Sequence, residues 1–353
     1  MKSHIIFTGG TIASSRRSDG SLAPSLDALK DLTENGNFTW SSPFNILSEN
    51  MTPHRWNQLI IHLRSLNMNE IKALFITHGT DTLAYTSNLL SLLLRGLPIP
   101  VFMIASNLPF HAEGANGPAN LNAAIALLKK PVPPGVYVPW KEPSLMKTDN
   151  HLSVKWDPGA DTRDVTFFKG NKLLQSGDFS DTFKAIRDSN INDLNRLVAH
   201  ARRELLKAGA ARPHFPAGRG TDAPLINFTP SLIANILAIR PFPGIRYEAF
   251  DLTEVSAVLH GTYHSYTAPD ADEPGRMSLK TFAAKAKKFG VPVYLAPISS
   301  TGSLNYASTK RIIDSGAVIP LYDVSFEMAF AILTVLFSKF ELDIQMKAVE
   351  PKT

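Results

Sequence analysis

The chain has 353 residues, of which 44% are hydrophobic and 19% charged, with 36 Lys and Arg against 31 Asp and Glu for a net charge of +5. More than twice the ~150 residues of an ordinary domain predicts two domains, and the balanced composition excludes a disordered chain. Cysteine is absent, which removes disulfides, thiolate metal sites and cysteine nucleophiles together, and the small basic excess lies in separate pairs such as Arg16-Arg17 and Lys129-Lys130 rather than in the stripe of a nucleic-acid binder.

The start, Met1-Lys2-Ser3-His4-Ile5-Ile6-Phe7, reads as a first strand rather than a leader. No apolar run reaches the ~18 residues of a membrane span, so a cytoplasmic protein without membrane or nucleic-acid partners is expected. Apolar, β-branched runs at 4–7, 73–77, 101–105 and 136–138 predict short buried strands, and 82–94 and 120–128 between and after them have helical character, with Leu83, Ser87, Leu90 and Leu94 on one stripe. That alternation predicts a parallel α/β sheet. Ligands of such sheets bind beyond the carboxyl ends of the strands, so residues that directly follow a strand are the first candidates for chemistry. Residues 191–206 trace one helical face through Ile191, Leu194, Leu197, Val198, Ala201 and Leu205. The Pro-, Gly- and Arg-rich stretch after them marks a boundary. The expected organisation is an N-terminal domain over 1–207, a linker over 208–224 and a C-terminal α/β domain over 225–353. In the latter, strand-like 225–228, 255–259 and 292–296 alternate with helical 231–238, 279–289 and 308–315, followed by 326–337.

Three segments stand out. Thr8-Gly9-Gly10-Thr11-Ile12-Ala13-Ser14 follows the first strand, and its two glycines allow a sharp turn that brings backbone N–H groups close to a ligand while a threonine hydroxyl faces the mouth of the sheet. It is not a dinucleotide fingerprint, because the third glycine is missing. Thr77-His78-Gly79-Thr80-Asp81-Thr82 lies between a strand and a helix, where Thr80 or Asp81 serves either as an N-cap or as a hydroxyl and a carboxylate for a ligand; His78 has no neighbouring ligand spacing and reads as structural. Ser48-Glu49-Asn50-Met51-Thr52-Pro53 precedes a helix with Trp56, Leu59 and Leu63 on it, and Thr52-Pro53 is a common helix start.

In order and spacing these segments resemble the bacterial-type L-asparaginase (asparaginase/glutaminase) family: residues 8–14 match its first signature, 77–82 its second and 48–51 its substrate-binding loop. Residues 113–121, Gly290-Val291-Pro292-Val293 and 315–319 extend the resemblance over nearly the whole chain. It implies an asparaginase-like fold, a larger Rossmann-like parallel-sheet domain followed by a smaller α/β domain, assembled as a homodimer or homotetramer, and a hydrolase of amino-acid side-chain amides without cofactor or metal. It further implies that Thr11 is the nucleophile, that Thr80 works with a lysine to move protons, that Asp81 holds the substrate's α-ammonium, and that Ser48 and Glu49 bind its α-carboxylate and α-ammonium. Gly79 and Ser106 fall among the substrate-binding positions, and Glu327 matches a glutamate that approaches a neighbouring subunit's site. A threonine hydroxyl needs an activating base, for which a lysine of lowered pKa serves, and a backbone oxyanion hole would stabilise the tetrahedral intermediate.

The chain departs from the family pattern at several points. Ser21 or Leu22 stands where the active-site lid carries a tyrosine, and the first tyrosine in the chain is Tyr85. Ser106-Asn107 replaces the usual Met-Arg pair. The family lysine is best matched by Lys147, with Lys155 and Lys169 as alternatives. The turn at 258–266 carries His260, Tyr263, His264 and Tyr266 in place of a Gly/Asn-rich loop. Beside an asparaginase-type amidohydrolase, two further readings stay open: a binding protein of altered substrate or little turnover, and an amidotransferase-type partner that releases ammonia from glutamine.

Overall fold

The computed structural model describes residues 1–29, 32, 38–142, 164–178, 180–186, 203, 228–270, 278–300 and 306–342. The chain divides into two compact units, one built chiefly from Met1–Ala185 and the other from Pro230–Glu341. The expected linker at 208–224 lies outside the described residues, as does the helix expected at 191–206 save for Arg203.

The first unit is a six-stranded sheet. β1 (Lys2–Ile6) is flanked by β4 (Phe38–Ser41) on one side and by β5 (Ile71–Thr77), β6 (Pro100–Ile104), β7 (Gly135–Lys141) and β8 (Val165–Lys169) in turn on the other. All neighbours are parallel except β7 and β8. β2 (Ser14–Arg16) and β3 (Leu22–Pro24) form a separate antiparallel hairpin. The near-continuous apolar sequence of β5, buried at every residue but Lys72, is that of a strand covered on both faces. Its alternate residues split accordingly. Leu74 and Ile76 join the core of α1 (Pro53–Ser65) and α2 (Leu83–Leu93) through Leu59, Leu63 and Leu90, whereas Ala73 and Phe75 join Ile5, Phe7, Phe102 and, from α3 (Gly117–Leu127), Leu121. α1 begins as its sequence predicts: the Thr52 hydroxyl accepts the Arg55 N–H at 3.3 Å, with Pro53 at the first helical position.

The chain leaves β1 toward β4 and then crosses back to β5 on the other side of β1. This makes the β1–β5 boundary the switch point of the sheet, where a crevice opens beyond the carboxyl ends of the strands. The loops that follow β1 and β5 are the two glycine-bearing segments singled out above.

The second unit is a four-stranded parallel sheet of β9 (Ile236–Ile239), β10 (Ala257–His260), β11 (Val293–Ile298) and β12 (Ile319–Tyr322), with α4 (Leu279–Lys288), α5 (Ala307–Asp314) and α6 (Phe326–Leu336). One expectation is corrected here. Residues 231–238 are not a helix: a strand runs over Phe228–Ser231, and Ile236-Leu237-Ala238-Ile239 forms β9, which pairs in parallel with β10 from Ile236↔Ala257 to Ile239↔His260. A four-residue apolar run fits either element locally, and the ladder to β10 decides between them. Among the described residues no helix is long and apolar enough to cross a membrane.

Candidate active site

The site at the β1–β5 switch is built from backbone before any side chain enters it. Gly9 and Gly10 have φ of 104° and 84°, conformations that L side chains rarely adopt. The Gly10 N–H donates to Ile46 O at 2.8 Å and the Ile46 N–H to Thr8 O at 3.1 Å, so the segment after β4 runs alongside the loop. Thr8 ties this loop to β5, its N–H donating to Thr77 Oγ1 at 3.1 Å and its hydroxyl to the Thr77 carbonyl. A Cβ at Gly10 would overlap the Gly79 backbone, and one at Gly79 would overlap the Ser48 hydroxyl and lie 3.1 Å from Gly10 Cα. Three distant segments therefore meet at contacts that only glycine permits.

Each segment presents a named side chain. Thr11 opens a short 3₁₀ turn, Thr11–Ala13, and is half-buried; the Ser14 hydroxyl donates back to Gly10 O at 2.8 Å and fixes the turn. A second 3₁₀ turn, Thr80–Thr82, precedes α2. Neither Thr80 nor Asp81 caps the helix, because the N-cap is Thr82 and its hydroxyl donates instead to Ser48 O at 2.9 Å. The buried Ser48 donates from Oγ to Asp81 Oδ2 at 3.3 Å, which leaves Asp81 exposed on its other side, and Glu49 follows Ser48 with its side chain exposed. Thr11, Thr80, Asp81, Ser48, Glu49 and Gly79 thus sit on three abutting segments.

His78 is fully buried behind them. Its Nδ1 lies 2.8 Å from Gly79 O, a carbonyl that only an N–H can bond, so Nδ1 carries the proton; Nε2 has no partner. Burial pushes its pKa down to about 4, and the imidazole is neutral, a structural role.

Other expectations fall elsewhere. The Ser106 hydroxyl is completely buried and accepts the Gly117 N–H at 3.0 Å at the start of α3, while Asn107 and Asn116 exchange backbone-to-side-chain bonds of 3.0 Å in both directions. Ser106 therefore braces the helix. Glu327, nearly buried in the second unit, pairs at 3.2 Å with Arg240, whose guanidinium lies 4.2 Å over the Phe326 ring. Lys147 and Lys155 lie outside the described residues. Lys169 is exposed and ends β8 opposite Tyr137, in the amino-terminal half of β7, away from the carboxyl ends of the strands.

Two residues absent from the sequence expectations join the site. Gln175 donates from Nε2 to Thr80 O at 2.8 Å and accepts the Ala84 N–H on Oε1 at 3.3 Å, so one amide holds the Thr80–Thr82 turn to the start of α2. Asp181 faces the same cleft, of about 470 Å³, as Thr80 and Asp81. Burial, and then the charge of Asp81, push the Asp181 carboxyl above the ordinary range; burial, and then Asp181, do the same to Glu142. Among the described residues no group of three His, Asp or Glu side chains could hold a metal ion.

A two-domain α/β protein with glycine-built turns at a sheet switch point is the class that this geometry defines. Residues 2–146 match the family model described as Asparaginase, N-terminal. The L-asparaginase of Thermococcus kodakarensis is 27% identical over 341 residues, covering 93% of this chain and 90% of that protein. A glutamyl-tRNA(Gln) amidotransferase subunit of Aeropyrum pernix is 24% identical over 364 residues, covering 98% of this chain and 76% of that one. Among solved structures, the thermostable L-asparaginase from T. kodakarensis aligns with a TM-score of 0.58 at 22% identity, covering 94% of this chain and 91% of that chain. A probable cytoplasmic L-asparaginase from Campylobacter jejuni aligns with 0.60 at 17%, covering 95% and 94%. The chain is thus similar to the asparaginase N-terminal domain over residues 2–146 and shares the fold of solved L-asparaginases over nearly its whole length.

Proposed function

We propose that this protein hydrolyses the side-chain amide of an asparagine- or glutamine-type amino acid, releasing ammonia through an acyl-enzyme on Thr11. The observation that carries the reading is the junction of Gly10, Gly79 and Ser48, which brings the Thr11 turn against the Thr80–Asp81 turn at the mouth of the sheet. In this reading the Thr11 hydroxyl attacks the amide carbon and ammonia leaves. Water then cleaves the ester, with the proton passed through Thr80 to a basic partner for which Lys147 is the candidate. Asp81, steadied by Ser48, receives the substrate's ammonium, with Glu49 beside it and the Gly79 segment as backbone wall. The protein acts without a metal or cofactor, in the cytoplasm, as a homodimer or homotetramer.

A second reading is supported by the amidotransferase relatives: the same ammonia-releasing site would serve a separate transferase chain. Ammonia release from purified chain against a panel of amino-acid amides tests the first. Wild type should turn over at least one of them, and Thr11→Ala should lose all but a small residue of that rate. Activity that appears only with a co-purified transferase chain supports the second reading instead.

A further inference from the structure

The face of the first sheet that packs under α1 carries a second group of nucleophilic and titratable side chains. His4 of β1 stands opposite Thr39 of β4, and Ser41 lies two residues further along β4, so all three share that face. Two hydroxyls clasp the imidazole: Thr39 Oγ1 lies 2.7 Å from His4 Nδ1, and Ser41 Oγ lies 2.7 Å from His4 Nε2. Ser41 Oγ is also 2.7 Å from Nε2 of His62, which α1 brings onto the same face. Every partner in this chain is a hydroxyl or an imidazole. Where a carbonyl fixes the tautomer of His78, each hydroxyl here can donate or accept. One proton order therefore makes His4 Nδ1 the acceptor for Thr39 and leads onward through Ser41 to His62. His4 is 6% exposed, whereas Thr39 is open to solvent. Burial, and then the charge of His62, lower the His4 pKa, so its imidazole is neutral at pH 7 and free to take a proton.

Thr39 and His4 line an open cavity of about 500 Å³, with Leu66 and Ile71 among its apolar lining. Lys2 and Ile71, which also line it, are the first residues of β1 and β5, so the cavity lies at the opposite ends of the strands from the Thr11 turn. A threonine on a cavity wall, bonded to a neutral imidazole that a further hydroxyl orients, has the arrangement of an activated nucleophile. We propose that Thr39 is a second nucleophile of this protein, which takes the acyl group of an ester bound in this cavity, with His4 as its general base. Thr39 Oγ1 bonds the ester's carbonyl carbon and gives its proton to His4 Nδ1. The bond from that carbon to the alcohol oxygen breaks, and the proton passes to the departing alcohol. Water then bonds the acyl carbon, the bond to Thr39 Oγ1 breaks, and one proton of the water returns through His4 to Thr39, leaving a carboxylic acid. An ester is the class because its alcohol departs more readily than the amine of an amide.

The test treats the Thr11→Ala protein, which lacks the other candidate nucleophile, with p-nitrophenyl acetate. Acid-quenched peptides are read by mass spectrometry beside the release of p-nitrophenol. An acetyl group should appear on Thr39; Thr39→Val should remove it and lower phenol release at least about tenfold, while Thr39→Ser keeps the label. His4→Gln, whose amide still bonds hydroxyls, should slow labelling by a similar factor. Because Thr39 is exposed, its two variants read the site even where His4→Gln loses stability. Acetyl on lysines or on Ser41 without Thr39, phenol release unchanged in Thr39→Val, or labelling at full rate in a folded His4→Gln protein would overturn the proposal.

Discussion

At the scale of single residues, the candidates divide into those with a local signal and those without. Thr11, Thr80 and Asp81 were legible because each lies in a loop just after a strand of a parallel sheet, the region where the crevice opens. Gln175 and Asp181 were not. Gln175 acts on Thr80 across 95 positions of sequence, and nothing in its own neighbourhood distinguishes that amide from a solvated one. Ser106 shows the converse, a polar residue after a strand whose hydroxyl is consumed by the Gly117 N–H. For the residues that do face the crevice the roles are separable. Asp81→Asn keeps the shape and the bond from Ser48 but removes the charge, so KM for an α-amino substrate should rise roughly tenfold or more while kcat changes less. Steady-state kinetics with asparagine check this, and an unchanged KM would reduce Asp81 to a turn residue.

At the scale of elements, the loops around the switch point are more constrained than the strands they leave. Gly10 combines a φ of 84° with a hydrogen against the Gly79 backbone, so Gly10→Ala forces two loops apart. It should cost about 2 kcal/mol or more and most of the activity, measured as a shift in denaturant midpoint beside an ammonia assay; an unperturbed midpoint would mean that the junction yields. The β2–β3 hairpin is the opposite case. Its turn is exposed, closed by the Arg17 N–H donating to Ser21 O at 2.8 Å and by the Ser21 hydroxyl donating to Asp19 at 2.6 Å, and no aromatic ring stands on it. If the hairpin is the lid of the site, Ser21→Tyr or Leu22→Tyr supplies the missing phenol, and one of them should raise kcat roughly tenfold or more. A fall or no change in both would show that this protein activates Thr11 without a lid tyrosine. Element type was legible for most of the described residues, since 82–94 and 120–128 are realised as α2 and α3, shifted at their ends. Residues 231–238 were misread because four apolar residues carry too little periodicity to choose between helix and strand, and β9 owes its form to a ladder with residues some twenty positions away.

At the scale of the whole molecule, the two units share a device that the sequence shows only in retrospect. β5 ends in Thr77-His78-Gly79-Thr80, and β10 ends in Leu259-His260-Gly261-Thr262. In both the imidazole is buried and its Nδ1 bonds the following glycine carbonyl, at 2.8 Å for His78 and 2.6 Å for His260, while His260 Nε2 also takes the Tyr247 hydroxyl at 2.8 Å. Burial pushes both pKa values down from 6.5 to about 4, so neither imidazole is protonated in the folded protein at pH 5. The unfolded chain does take up those protons between pH 6.5 and 4, so stability is full above pH 6.5 and falls as the pH drops through that window. Each histidine should cost about 2 kcal/mol at pH 5. Denaturant midpoints at pH 7 and pH 5 measure the loss, and His78→Asn, which keeps the donor to Gly79 O without a titrating group, should remove its share. An unaltered pH dependence in that variant would contradict the assignment.

All of this turns on whether Thr11 carries the acyl group, and acid-quenched peptide mass spectrometry during turnover of an amide substrate reads that bond itself. Catalysis through Thr11 requires an ester on the peptide containing it, formed as ammonia is released and absent from Thr11→Ala. An ester on the Thr80 peptide, or ammonia release by Thr11→Ala at more than about a tenth of the wild-type rate, would contradict it.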